Sequence, residues 1–459
     1  MARESNLTRR NFVRMGCCTA ASFGLTAAIG RLNLIHAYAA GAATGYRALV
    51  CVFLFGGNDA NNMIVPNDNT GYQNYAKLRA NLALSQSSLL PIVAKTGQAV
   101  YGLHPALTGL QGLFTSGQLA VLANVGTLAQ PITRTQYLAG ATGGTVLPVN
   151  LFSHADQQAQ WQTAQFTGFS ATGWAGRTAD KLQTLNAGAL FPPIISVAGG
   201  AILCTGSQTT PYALTPGNTS IGLSGNDGSA AATQRISSFQ QLLTLNSGLS
   251  LVQDSSSVMT QSLNQSKVLA AALKTLPALQ TQFPATSIGA QLKQVAQIIQ
   301  AQPALGLQRQ IFFCSLGGFD THSAQLPTQQ TLFSQLDPAL TAFYNSTLEL
   351  GVSQQVTSFT LSDFNRTYQP GTNAGSDHAW GSNHLILGGA VQGGDIYGQF
   401  PTFALGGPSD AGSNGRWIPT TSVDQYGATL ATWFGVAASD LPSIFPNISN
   451  FTTPTLGFI

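Results

Sequence analysis

The chain has 459 residues, 44% of them hydrophobic and only 8% charged, with a formal net charge of +3. Five arginines (Arg3, Arg9, Arg10, Arg14, Arg31) and Glu4 lie in the first 40 positions, which leaves 14 basic against 15 acidic residues in the remainder. That balance excludes the basic footprint of a nucleic-acid binder. No later apolar run has the length of a membrane span.

The N-terminus reads as a targeting segment and is set apart from the fold. Thr8-Arg-Arg-Asn-Phe-Val13 has the twin-arginine pattern, Met15 to Gly30 forms an Ala/Gly-rich apolar stretch, and Ala37-Tyr-Ala39 offers a small-residue cleavage site. The expectation is a signal peptide over 1–40, recognised by the twin-arginine export machinery, and a periplasmic or secreted mature protein over 41–459. Cys51, Cys204 and Cys314 remain after cleavage, with no C-x-x-C spacing. Buried, inert thiols fit that pattern better than a thiolate metal site.

Arg47 to Phe55 is a continuous apolar run of the kind found in central parallel strands. It ends in Gly56-Gly-Asn-Asp-Ala-Asn-Asn62, which presents Asp59 at the carboxyl end of the strand, where open α/β sheets bind ligands. His104, just before Pro105, reads as a turn residue. A second strand is expected near 118–125. Ser153-His154-Ala-Asp156 then starts a helix, with Ser153 as its N-cap. A serine hydroxyl at a helix start can also act as a nucleophile if the dipole and a nearby cation stabilise its alkoxide. Arg177 is a candidate for binding an anion or a carboxylate. Residues 205–265 form a polar excursion, helical near Ile236 to Leu251.

Arg309 to Leu316 is a third strand, again closing on a glycine pair and an acid, Gly317-Gly-Phe-Asp320-Thr-His322. A helix is expected over Pro338 to Leu350. Val356 to Leu361 is a fourth strand, followed at once by Asp363 and then by a loop carrying Asp377, His378 and His384. The helix that starts at Gln425 closes at Gly435. Apolar strands alternating with helical stretches predict one doubly wound α/β domain, its sheet mainly parallel with helices on both faces. The strands near 47–55, 118–125, 310–316 and 356–361 are expected to be neighbours.

If those strands are parallel, their terminal acids meet at one edge. Several uncompensated carboxylates repel, so a cation is the economical partner. Mixed Asp and His ligands suit Zn²⁺, Mn²⁺ or Fe better than Mg²⁺ or Ca²⁺.

The segments Phe55-Gly-Gly-Asn-Asp-Ala-Asn-Asn-Met-Ile-Val-Pro66, Ser153-His154, Gly317-Gly-Phe-Asp-Thr-His-Ser-Ala-Gln325 and Ser362-Asp-Phe-Asn-Arg-Thr367 with Asp377-His-Ala-Trp-Gly381 resemble the secreted bacterial family called domain of unknown function 1501. That family in turn resembles the alkaline phosphatase and sulfatase superfamily. The resemblance implies an alkaline-phosphatase-like fold and a hydrolase of phosphate or sulfate esters using a two-metal site, with one or two divalent ions bound, Zn, Mn, Ca or Mg. By position, Asp59 and Asp363 would serve one ion, and Asp320, His322 and His378 the other. Ser153 would be the catalytic nucleophile, with Asn62, His154, Asp377 and His384 as further ligands or supports. Two departures stand out. Phosphatases and sulfatases usually carry Asp-His where this chain has Asp363-Phe364, and the sulfatase Cys/Ser-x-Pro-x-Arg signature is absent around Ser153. A rival reading is a secreted, non-catalytic binding or envelope protein on the same fold.

Overall fold

A computed structural model describes residues 45–215, 228–245 and 248–459. The twin-arginine motif and the A-x-A site expected from the sequence lie outside these residues, as does part of the polar excursion. Arg47–Ile459 cluster as one compact unit.

The main strands in chain order are β1 (Arg47–Phe55), then β2 (Ile64–Pro66), β3 (Leu90–Val93) and β4 (Val100–Leu103) of a small side sheet, β5 (Leu119–Gly126), β6 (Ile194–Ser196), β7 (Tyr212–Ala213), β8 (Arg309–Gly317), β9 (Val356–Ser362), β10 (Ser382–Gly388), β11 (Ile396–Gly398) and β12 (Thr421–Ser422). The large sheet has the order β11-β5-β10-β9-β1-β8-β6-β7, with β12 also paired to β5. β1 lies at its centre, parallel to β8 on one side and to β9 on the other. The fold is therefore α/β with a mainly parallel sheet, as the alternation of apolar strands and helices predicts.

One strand runs the other way. β10 is antiparallel to both β9 and β5. It separates β5 from the β9-β1-β8 group, so the 118–125 strand is not a direct neighbour of the other three. The expectation of four adjacent parallel strands is corrected at that point. His384, expected in a loop, lies inside β10 and is buried.

Side chains alternate across the sheet. Leu49, Cys51 and Phe53 of β1, Ile311 and Phe313 of β8, and Phe359 and Leu361 of β9 share a core with Trp161, Trp174, Tyr426 and Phe434. These aromatics come from the helices His154–Thr163, Trp174–Lys181 and Val423–Phe434. Val50, Val52 and Leu54, on the opposite face of β1, are just as buried. Helix Ser287–Gln300 packs on β8 and on helix Gln325–Glu349, and these supply cover outside that core. Each fully buried aromatic or branched side chain contributes about 1.5–3 kcal/mol, so two apolar faces fix β1 in place.

Helix Gln325–Glu349 starts well before the expected Pro338 and runs through it. Asp337, beside that proline, accepts hydrogen bonds from the amides of Gly109 and Leu110 at the start of another helix. Among its described residues the excursion carries helix Ala230–Leu243 and the first part of helix Ser250–Lys274, instead of one helical portion near 236–251. Among the described residues no helix is long and apolar enough to cross a membrane.

Candidate metal centre

The carboxyl ends of β1, β8 and β9 open into three loops at one edge of the sheet. β10 is antiparallel, so its amino end lies at that same edge, and the loop before it delivers Asp377 and His378 there. The helix His154–Thr163, reached after β5, contributes its first residue.

Four side chains converge. The ligand atoms of His154, Asp320 and His378 lie within 4.8 Å of one another. Asp320 Oδ2 is 3.5 Å from His154 Nε2, and Asp320 Oδ1 is 3.5 Å from His378 Nε2 and 3.1 Å from His322 Nε2. The Nε2 atoms of His322 and His378 are 2.9 Å apart. Ligands on a tetrahedral zinc-sized ion, each about 2.0–2.1 Å from it, stand about 3.3 Å from each other. The distances from Asp320 to the three imidazoles, 3.1–3.5 Å, are of that size, while the mutually close group itself consists of His154, Asp320 and His378, with His322 beside it.

The tautomers follow from what holds the other ring nitrogens. His378 Nδ1 is 2.7 Å from the carbonyl oxygen of Phe152, which only accepts, so Nδ1 donates. His154 Nδ1 is 2.7 Å from Asp363 Oδ2, and His322 Nδ1 is 3.2 Å from Asp377 Oδ1. All three imidazoles thus carry their proton on Nδ1 and turn an Nε2 lone pair inward. His154 Nε2 is buried and has no hydrogen-bond partner. The facing lone pairs of His322 and His378 repel unless a proton or a cation lies between them. Imidazoles backed by carboxylates or carbonyls, lone pairs convergent, are the usual support of a metal site. The residues present therefore fit a divalent ion. With three nitrogens and a carboxylate, the donor set suits Zn²⁺ or a similar transition metal better than the all-oxygen shells of Ca²⁺ or Mg²⁺.

Asp363 is fully buried and its carboxylate is fully used. Oδ1 accepts from the Gly56 amide at 3.1 Å, while Oδ2 accepts from Gln158 at 2.8 Å and from His154. Its place is behind His154. Asp377 stands behind His322 in the same way. Phe364, where the resemblance led to an expected His, stacks on His378 with ring centres 4.5 Å apart and lies 4.8 Å from His154. It offers no donor and braces both rings.

Asp59 lies elsewhere. It forms a buried ion pair with Arg79 and accepts from Gln325 and from the Asn61 amide. The carboxylate repulsion anticipated from sequence is relieved there by an arginine. Asn62 bonds the Leu82 carbonyl and accepts from Tyr75 and Arg79, also away from the cluster. His384 sits between Trp161 and Tyr426, its ring buried in the sheet. Ser153 caps its helix, with Oγ 3.5 Å from the Asp156 amide. Arg177 spends its guanidinium on the carbonyls of Thr163, Thr172 and Ile444, so it holds loops together. His104 is a buried turn residue whose Nδ1 accepts from the Ala106 amide. The three free cysteines are buried. Among the described residues one metal-type cluster is present, so the expected second site built on Asp59 and Asp363 is not assembled.

Arg366 is the organiser that the sequence reading passed over. It is fully buried and donates to the carbonyls of Gly56, Gly57, Phe319 and Ser376 and to the Asp320 carboxylate. One guanidinium therefore ties the β1, β8 and β9 loops together. For Asp320, partial burial raises the carboxyl pKa, but the Arg366 hydrogen bond and charge outweigh it and hold the group below its usual range. Its arginine lies inside the motif Ser362-Asp-Phe-Asn-Arg366, and the signal was a lone basic residue in an apolar, charge-poor stretch. Gly56 makes the packing possible. Its φ is +111°, and an added Cβ would sit 2.4 Å from the Asp320 amide nitrogen.

Fold and site together define an α/β protein with, among the described residues, one His/Asp metal-type cluster at the carboxyl edge of its sheet. Residues 46–410 match the family described as protein of unknown function (DUF1501), and the chain belongs to that family. No curated protein matches the chain. Among solved structures, it is similar to the lipoteichoic acid synthase LtaP from Listeria monocytogenes (9% identity over 87% of this chain and 74% of that one, TM-score 0.33). It is similar also to the PsFucS1 sulfatase from Pseudoalteromonas sp. (9% identity, 91% and 72% covered, TM-score 0.34). A third is the phosphonate monoester hydrolase SpPMH from Silicibacter pomeroyi (8% identity, 85% and 73% covered, TM-score 0.34). Likeness this slight carries nothing about the chemistry of the present chain.

Proposed function

We propose that this chain is a metal-dependent hydrolase of phosphate or sulfate esters, exported by the twin-arginine route, that works with one cation. The observation that carries the reading is the convergence of three Nδ1-anchored imidazoles on Asp320. His154, His322, His378 and Asp320 would hold the ion, while Asp363, Asp377 and the Phe152 carbonyl keep the rings aimed. When bound, a divalent ion would supply Lewis-acid polarisation of an ester oxygen. Asp320 and His322 are each about half exposed, at 47% and 48%, so the centre is open to a solute from the loop side. Ser153 is the nucleophile in this reading. It directly precedes His154, stands at a helix start, and its long cap contact leaves Oγ only weakly engaged. Its Oγ would bond to phosphorus or sulfur, releasing the alcohol and passing its proton to solvent, and water would then cleave the serine ester.

Chromogenic aryl phosphates, phosphodiesters and aryl sulfates test the reading on metal-loaded protein. Turnover in the wild type, lost in Ser153→Ala with bound metal retained, is the expected result. Turnover retained in Ser153→Ala would remove the serine from the chemistry and leave it a cap worth about 1 kcal/mol. No turnover of any ester by metal-loaded wild type would leave the secreted binding protein as the better reading.

A further inference from the structure

A cleft of about 1090 Å³ lies at the opposite edge of the sheet from the metal-type cluster. Pro192 and Pro193 lead into β6, and Gln208 to Thr210 stand just before β7. β6 is parallel to both β7 and β8, so these residues mark the amino ends of the strands, whereas Asp320 follows the carboxyl end of β8. Helix Ser250–Lys274 of the polar excursion forms the facing wall. Its Gln253, Ser257, Thr260, Gln261, Asn264 and Val268 recur at three- and four-residue steps and so share the side turned to the cleft. All of them but Val268 are uncharged amides or hydroxyls. Among the described residues no charged or titratable side chain lines the cleft.

The strand-side wall is built in advance. The Pro193 carbonyl accepts from the Ile311 amide at 2.8 Å, which ties it to β8. Phe191 is buried and meets the ring of Tyr212 edge-on, with ring centres 4.9 Å apart. The loop carrying Gln208 is pinned by the Asp180 carboxylate, which accepts from the amides of Ser207, Gln208 and Thr209. The side-chain amides converging on this space are uncommitted. Those of Gln183, Gln208, Gln261, Asn264 and Gln265 make no hydrogen bond to protein among the described residues. Each offers donors and an acceptor together, the pairing that a sugar hydroxyl needs. Leu190, Pro192 and Pro193 add an apolar strip beside them, suited to the C–H face of a pyranose ring. A charged ligand would lose hydration here with no opposite charge to replace it. A wholly apolar one would leave the amides unpaired. The volume matches the upper end of small-molecule sites, about 300–1,000 Å³, so a chain of several sugars fits better than one.

We propose that this cleft is a binding site for an uncharged oligosaccharide, separate from the metal-type cluster and independent of any chemistry there. The probes are cellohexaose, maltohexaose and xylohexaose, with hexagalacturonate as a charged chain of equal length. Each is titrated calorimetrically into the mature protein in the presence of a chelator, so that the metal-type cluster takes no part. At least one neutral hexasaccharide should bind with a Kd of about 1 mM or tighter, and hexagalacturonate at least about tenfold more weakly. The double variant Gln261→Leu, Asn264→Leu should weaken the neutral sugar about tenfold or more through two lost hydrogen bonds. Its melting temperature should be unchanged, because both side chains are exposed and leucine suits a helix at least as well. Gln183→Leu, on the facing wall, should weaken binding as well. No binding of any of the three neutral sugars, hexagalacturonate bound as tightly as they are, or affinity unchanged in both variants would each overturn the proposal. Sugar binding that appears only after metal is restored would place the ligand at the other edge and overturn it too.

Discussion

Arg366→Met puts the organisation of the edge to the test. The side chain is the donor for the carbonyls of Gly56, Gly57 and Ser376, and also bonds Phe319 and Asp320. Phe319 keeps a second donor, the Thr321 amide at 2.9 Å. Methionine fills much of the volume but donates nothing, so three carbonyls lose their protein donor. At about 1–3 kcal/mol for each buried group left unpaired, with water reaching some of them, the loss comes to about 3–5 kcal/mol. That is a large part of a typical stability of about 5–15 kcal/mol. Urea unfolding of the mature chain in the presence of a chelator measures it without a contribution from metal binding. Arg366→Lys keeps a charge near Asp320 but lacks the fork, and should recover less than half of the loss. A loss below about 1 kcal/mol in Arg366→Met would show that the loops hold their places without the guanidinium, and the reasoning would fail.

Asp59→Asn should leave metal content at the wild-type level while costing about 3–5 kcal/mol, because Arg79 is left buried without its charge partner; elemental analysis and urea unfolding of one sample read both, and metal loss would return Asp59 to the ligand set. Burial lowers the pKa of His384 to about 3 from an ordinary value near 6.5. The folded state then refuses a proton that the unfolded chain accepts, so the contribution of this residue is complete above about pH 6.5 and falls away as the pH drops towards 3. His384→Leu should therefore flatten the decline of melting temperature with acidification between about pH 6.5 and pH 4; an unchanged slope would mean that His384 is not a source of the acid sensitivity.

Much of the architecture could be read in advance because the physics was local. Apolar runs such as Arg47–Phe55 and Arg309–Leu316 have one reading, and a glycine pair followed by an acid marks the turn at each end. β10 was hidden because Ser382–Gly388 begins with the polar residues Ser382, Asn383 and His384, and the direction of a strand is set by its partners. That direction brings His378 to the cluster edge. Asp320, His322 and His378 are brought together, but Asp59 repeats their local pattern in a different setting. Nothing within its own segment shows that Arg79, on the helix Asn69–Arg79, turns back to pair with it. His154 read as the first residue of a helix, and only Asp363, distant in sequence, shows which way its ring faces.

The most direct test of a single His/Asp metal centre is the metal content per chain, measured by elemental analysis of exported protein and of its variants. About one transition-metal ion per chain is expected, reduced to background in His154→Ala, Asp320→Ala and His378→Ala and retained in Asp59→Ala. Two ions per chain with one lost in Asp59→Ala, or no ion bound by a folded wild-type protein supplied with zinc or manganese, would contradict it.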